Sequence, residues 1–163
     1  MMKWCYTDDF TYAHYDAVTA LYEFDDFLFS PTADIILACR MMSVVFKDFE
    51  DDLKAWCKTI DDKPLITFED YEEKIDLIKR VISMSGNGYK RMFVMVMKAL
   101  RTSHPNFYFM DLPETSMHIM IARELTEFMM GNFEYTKFIV ATHSPDLISY
   151  GCENYIDLMP ENT

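Results

Sequence analysis

Glycine is scarce in this chain: four in 163 residues, at positions 86, 88, 131 and 151. That scarcity excludes a Gly-x-x-x-x-Gly-Lys-Ser/Thr loop anywhere in the sequence. With it go the backbone N–H cradle and the lysine that such a loop offers to phosphates. Basic side chains are also few. Fifteen Lys and Arg stand against 27 Asp and Glu, a net charge of −12, which repels a nucleic-acid backbone. The nearest basic group, Lys90, Arg91, Lys98 and Arg101, is too small to reverse this, so no direct nucleic-acid binding is expected. Cysteine pairs are lacking as well. Cys5, Cys39, Cys57 and Cys152 form no C-x-x-C and have no ligand-like spacing to the four histidines, so they read as buried, reduced thiols of a cytoplasmic protein. There is no cationic-then-apolar leader and no apolar run near the ~20 residues of a membrane span. Repeats and low-complexity tracts are missing too.

What the chain has in quantity is apolar surface. Half its residues are hydrophobic and 15% are aromatic, far from the composition of a disordered chain, and 163 residues suffice for a buried core. Residues 3–7 suit a short strand. Over 12–29 the apolar positions Ala13, Val18, Leu21, Tyr22, Phe24 and Leu28 predict a loose helix. Ser30-Pro31-Thr32 restarts the chain, and 35–56 carries Ile36, Cys39, Met42, Val45, Phe46, Phe49, Leu53 and Trp56 at helical spacing. This reads as the longest helix, with a solvated acidic face at 48–52. After the turn at 61–64, residues 65–68 read as a brief strand or an extended link, and a helix is expected from 67 through 82. The window 89–100 is almost wholly apolar apart from Lys90, Arg91 and Lys98, the pattern of a helix buried on most sides. Residues 1–82 thus read as a mainly helical region and 83–163 as the region that carries motifs, in one compact unit.

The most telling stretch is Phe-Tyr-Phe-Met-Asp-Leu-Pro-Glu-Thr-Ser-Met-His, residues 107–118. Four bulky apolar residues leading into Asp111 and a turn at Pro113 predict a buried strand of a parallel sheet. Asp111 then stands at the strand's carboxyl end, where open α/β sheets place ligands. Ser116 is a candidate cap for a helix from 117 to about 131. A second strand is expected at 137–141 and another at 155–158. Strand, helix and strand in series predict a small, mainly parallel sheet with right-handed connections: an α/β fold.

Residues 107–118 resemble the Walker B and D-loop region of ABC-type ATPase heads, in the RecF/OLD-like and SMC-like branch. Two collinear segments strengthen the resemblance. Phe138-Ile-Val-Ala-Thr-His-Ser-Pro is similar to the strand and switch-histidine loop, and Ser85-Gly-Asn-Gly-Tyr-Lys-Arg to a degenerate signature motif opening its helix. It covers residues 83–158 and implies a C-terminal lobe of the ABC-ATPase type, preceded by a helical subdomain. By the same resemblance Asp111 takes the Mg²⁺-associated position, and Leu112 that of the glutamate that polarises water. Glu114 and His118 become D-loop residues and His143 the switch histidine. Ser85, Gly86, Gly88, Lys90 and Arg91 form the signature-like turn that faces a partner's nucleotide.

Each position also has a plainer reading. Asp111 can cap the backbone at 115–116 or hydrogen-bond the neighbouring loop, His143 can rest against a backbone carbonyl, and Ser-Gly-Asn-Gly is good turn chemistry anywhere. Leucine at 112 can neither accept a proton nor orient water. No ATP turnover, no cofactor and no metal of its own are therefore expected. The resemblance implies a silent, truncated ATPase-like protein that pairs with an ABC, SMC or OLD-type ATPase as a homo- or heterodimer and regulates or inhibits it. Conflict between phages and bacterial defence ATPases is one such setting. The alternative is a split head whose phosphate-loop lobe lies on another polypeptide. In either case Gly88→Trp is expected to block pairing and spare the fold, with Lys90 and Arg91 acting as rim charges.

Overall fold

The computed structural model describes residues 11–60, 70–102 and 106–151. The protein is α/β: among the described residues, eight helices accompany a three-stranded parallel sheet of order β1-β2-β3. The strands are β1 (Tyr12–Asp16), β2 (Phe107–Asp111) and β3 (Lys137–Ala141). Phe107 pairs with Tyr12 and Lys137 at one end, and Asp111 with Asp16 and Ala141 at the other. The parallel strands at 107–111 and 137–141 are those anticipated from the sequence. The strands suggested at 3–7 and 155–158 and the link at 65–68 lie outside the described residues.

The first strand is a correction. Residues 12–16 are extended, and only then does α1 (Ala20–Phe27) begin. Ala13 and Tyr15 point into the core while Tyr12 and His14 stay exposed, a period-2 alternation hidden inside an apparent helix pattern. The expected long helix is likewise two, α2 (Thr32–Val45) and α3 (Phe49–Ile60), broken where Phe46 is extended at φ −115°, ψ 96°. That kink carries the Phe46 ring to Tyr89, which also meets Phe49 and Trp56 at centroid distances of 5.4 Å. Glu50, Asp51 and Asp52 in the first turn of α3 suit the positive end of its dipole. Next come α4 (Asp70–Glu73) and α5 (Ile75–Met84).

Helix α6 (Asn87–Arg101) is the spine of the core, with Arg91 through Met97 and Ala99 buried. It lies across the sheet face formed by Ala13, Tyr15, Tyr108 and Met110, where the Tyr108 hydroxyl donates to the Met95 carbonyl at 2.5 Å. Helices α1 and α2 pack on its flanks, and the Phe24 and Phe93 rings meet edge to face at 5.8 Å. Burying each such large side chain contributes about 1.5–3 kcal/mol. Helix α7 (Ile119–Asn132) joins β2 to β3, and α8 (Pro145–Gly151) follows β3. His118 caps α7, its Nδ1 accepting the Met120 N–H at 3.4 Å, in place of the expected Ser116.

Candidate functional site

The three motif segments converge at the carboxyl edge of the sheet. Asp111 ends β2 there, between Asp16 and Ala141. Its backbone carbonyl accepts the Ala17 N–H at 3.2 Å, and the next N–H, that of Leu112, donates to Ala141 at 2.8 Å. The chain then turns in a loop bracketed by two left-handed residues, Leu112 at φ 50° and Ser116 at φ 62°. Positive φ at non-glycine residues costs energy, more so for leucine, and persists only where neighbours hold it.

Two sets of contacts hold this loop. On one side, Glu114 Oε1 accepts the Thr142 hydroxyl at 2.8 Å and the His143 N–H at 3.0 Å. Thr142 Oγ1 accepts the Ser144 N–H at 2.9 Å. Glu114 therefore fastens the loop after β2 to the loop after β3 and leaves the His143 side chain exposed. The other carboxylate oxygen, Oε2, is buried without a hydrogen bond. On the other side, the Arg91 guanidinium donates to the Ser116 hydroxyl and, through Nε, to the Ala17 carbonyl at 2.8 Å. One buried cation thereby ties α6, the end of β1 and the 112–116 loop together.

The signature-like turn meets the same loop. Gly86 is the N-cap of α6, exposed, and a Cβ added there would have nothing within 4 Å. Gly88, two residues on, is seated: a Cβ there would stand 2.7 Å from the Ser116 carbonyl oxygen. The glycine at 88 is required by this close approach of two backbones. Gly88→Trp thus cannot spare the fold, and Arg91, only 8% exposed, is no rim charge. Lys90 lies over the Phe24 ring at 5.3 Å, and Ser85 caps α5 by donating to the Ile82 carbonyl at 2.7 Å.

Two plain readings are corrected as well. Asp111 makes no cap onto 115–116, and His143 is held through its own N–H by a carboxylate, not by resting on a carbonyl. His118 serves its own helix. The residues that sequence reasoning missed are Asp16 and Ala17; Thr142, though inside the switch-histidine-like segment, receives no role from it. Asp16 had a signal, since it closes a five-residue strand just as Asp111 does.

Electrostatically the edge is mixed. Tyr15 beneath it is fully buried, its hydroxyl unpartnered; burial raises its pKa, with Arg91 opposing and Asp16 and Glu114 adding to the rise. Among the described residues no three His, Cys, Asp or Glu side chains group as metal ligands. Asp16 and Asp111 alone, with Leu112 next in line and no phosphate loop in the sequence, do not fit a nucleotide and Mg²⁺ held by this chain by itself. A shallow depression of about 380 Å³ between α2 and α7, lined by Val44, Val45, Glu124, Glu127 and Phe128, involves none of these residues. Among the described residues no helix is long and apolar enough to cross a membrane. No protein-family model, curated protein or solved structure matches the chain.

Proposed function

We propose that this chain is a catalytically silent, ABC-like C-terminal lobe that pairs with a complete ATPase in the cytoplasm and regulates or inhibits it. The observation that carries the reading is the joining of three separately placed motifs into one edge. Gly88 and Arg91 of the signature-like turn bear on Ser116, and Glu114 of the D-loop-like segment holds His143. Segments far apart in sequence thus share one surface, as an interface to a nucleotide-bearing partner requires. The outward groups on it are Gly86, Asn87, His118 and His143. Leu112 stands where water would have to be polarised, so pairing completes or blocks the partner's site without adding a general base.

The test uses Gly86→Trp, because position 86 has open space around it. Tagged wild type and variant are used as bait in extracts of the native host, with a thermal melt of each alongside. The expected result is an ATPase-head protein retained by wild type, with altered turnover in the complex, and lost with an equally stable Gly86→Trp. Retention by both proteins refutes the pairing surface. Turnover by the purified chain that vanishes in Asp111→Ala refutes the silent assignment.

A further inference from the structure

Among the described residues, Leu112 and Ser116 are the two non-glycine positions at positive φ, and they bracket one short segment, Pro113-Glu114-Thr115. Asparagine or aspartate can offset that conformation with a local side-chain hydrogen bond; leucine has none to offer. The backbone is therefore held against its own preference, and side chains from elsewhere in the chain do the holding. Glu114 Oε1 accepts the Thr142 hydroxyl at 2.8 Å and the His143 N–H at 3.0 Å, and Arg91 donates to the Ser116 hydroxyl. The turn adds two backbone bonds of its own, from the Thr115 N–H to Leu112 at 3.0 Å and from the Met117 N–H to Glu114 at 3.1 Å. The fastening is lopsided. One carboxylate oxygen carries both donors while the other, Oε2, is buried with none, and a buried acceptor left dry is costly. Strain and the dry oxygen favour release; the two donors and Arg91 favour the seat.

We infer that residues 112–116 are a strap with two positions at the carboxyl edge of the sheet. Seated, it joins the loop after β2 to the loop after β3 through Glu114. Released, Leu112 returns to negative φ, both Glu114 oxygens meet water, and the Thr142 hydroxyl and His143 N–H are freed. The elements on either side keep their places. Rotation about φ of Leu112 leaves its own N–H on the Ala141 carbonyl at 2.8 Å, and Arg91 still holds α6 to the end of β1 through the Ala17 carbonyl. Because release unravels no helix or strand, it needs less free energy than global unfolding. The consequence is an edge with two faces: released, it offers two donors and a carboxylate that the seated edge uses on itself. Any ligand or partner that takes the His143 N–H must first displace Glu114. The inference rests on the backbone and its hydrogen bonds and holds whether or not the partner is an ATPase.

The experiment is native-state hydrogen exchange of the full chain, read by NMR at guanidinium concentrations below the unfolding transition. The His143 amide is expected to exchange about 100-fold faster than the buried α6 amides at 93–97, yet more slowly than a free amide, and with no dependence on denaturant. Leu112→Asn and Leu112→Ala then isolate the strain. Both remove the leucine's apolar contacts, but asparagine accepts positive φ and alanine does not. The His143 amide should therefore exchange about fivefold more slowly in Leu112→Asn than in Leu112→Ala. Protection at His143 equal to that of α6, with the same denaturant slope, overturns the inference, because the strap then leaves only on global unfolding. Exchange at the rate of a free amide also overturns it, since the seat is then not made. So does a rate in Leu112→Asn no lower than in Leu112→Ala, because strain at Leu112 then does not drive release.

Discussion

Adding one methyl group at position 88 measures how firmly the start of α6 is seated on the 112–116 loop. The new Cβ would lie 2.7 Å from the Ser116 carbonyl oxygen, a backbone atom that no rotamer change can remove. Relief requires the loop to retreat, and the loop is held by Arg91 on Ser116 and by Glu114 on Thr142 and His143. Overpacking of this kind costs about 1–3 kcal/mol. Alanine returns part of that through helix propensity, at most about 1 kcal/mol and less here, at the second residue of the helix. Gly88→Ala is therefore expected to destabilise by about 1–2 kcal/mol, lowering Tm by roughly 2–8 °C for a chain of this size. Gly86→Ala is the control, since it meets nothing within 4 Å and loses only the difference between a favoured N-cap and a poor one, about 0.5 kcal/mol. Thermal melts of both variants, with hydrogen exchange of the amides at 112–117, provide the readout. A Gly88→Ala protein that melts no lower than Gly86→Ala, with unchanged exchange in the loop, refutes the seating argument.

Two further predictions concern the latch and the buried phenols. Glu114→Ala removes an acceptor shared by two donors and should cost about 1–3 kcal/mol, with faster exchange at the His143 amide and partial rescue by Glu114→Gln; an unchanged His143 amide would show that the latch is not made in solution. Burial raises the pKa of Tyr15, Tyr71 and Tyr108 above the ordinary 10.0. Because the folded state holds these phenols neutral, their contribution is fully present below pH 10 and is lost as pH climbs above it. Denaturant midpoints should hold steady from pH 7 to about 9 and fall beyond 10, with the share of the 295 nm absorbance that belongs to these three phenols, read by difference from Tyr→Phe variants, rising only on unfolding; ionisation of that share in the native state near pH 10 would refute this. Burial also pushes the Cys39 thiol up to about 12, so a thiol reagent at pH 8 should reach it only after unfolding.

The parts of the fold legible in the sequence are those whose local pattern agrees with their surroundings. Residues 107–111 and 137–141 are short apolar runs ending at turns, and 89–100 is apolar on nearly every side; each is what the structure contains. The missed strand β1 lacks that agreement. Five residues with aromatics and alanine suit either period, and the decision comes from pairing with Phe107–Asp111, over ninety positions away. The break at Phe46 has no glycine or proline to mark it. It is made by a contact with Tyr89, again distant in the chain. Left-handed Ser116 is invisible in sequence for the same reason, because serine favours a cap and only Arg91 and Gly88 reveal why it turns instead.

The two glycines of the signature-like turn show how a site can be found from sequence while its working surface is not. Both are small residues at the start of a helix, and both suit the close approach of an anion or of another backbone. At Gly88 the approaching backbone is the protein's own, that of Ser116, whereas Gly86 faces open space. Arg91 follows the same division: its positive charge is directed inward onto Ala17 and Ser116, and Lys90 is drawn over Phe24. A partner meeting this edge would therefore encounter an exposed glycine, an asparagine and two histidines rather than a cationic rim. Pairing there should depend on shape and backbone hydrogen bonding, with little of the salt dependence that exposed Lys90 and Arg91 would have brought.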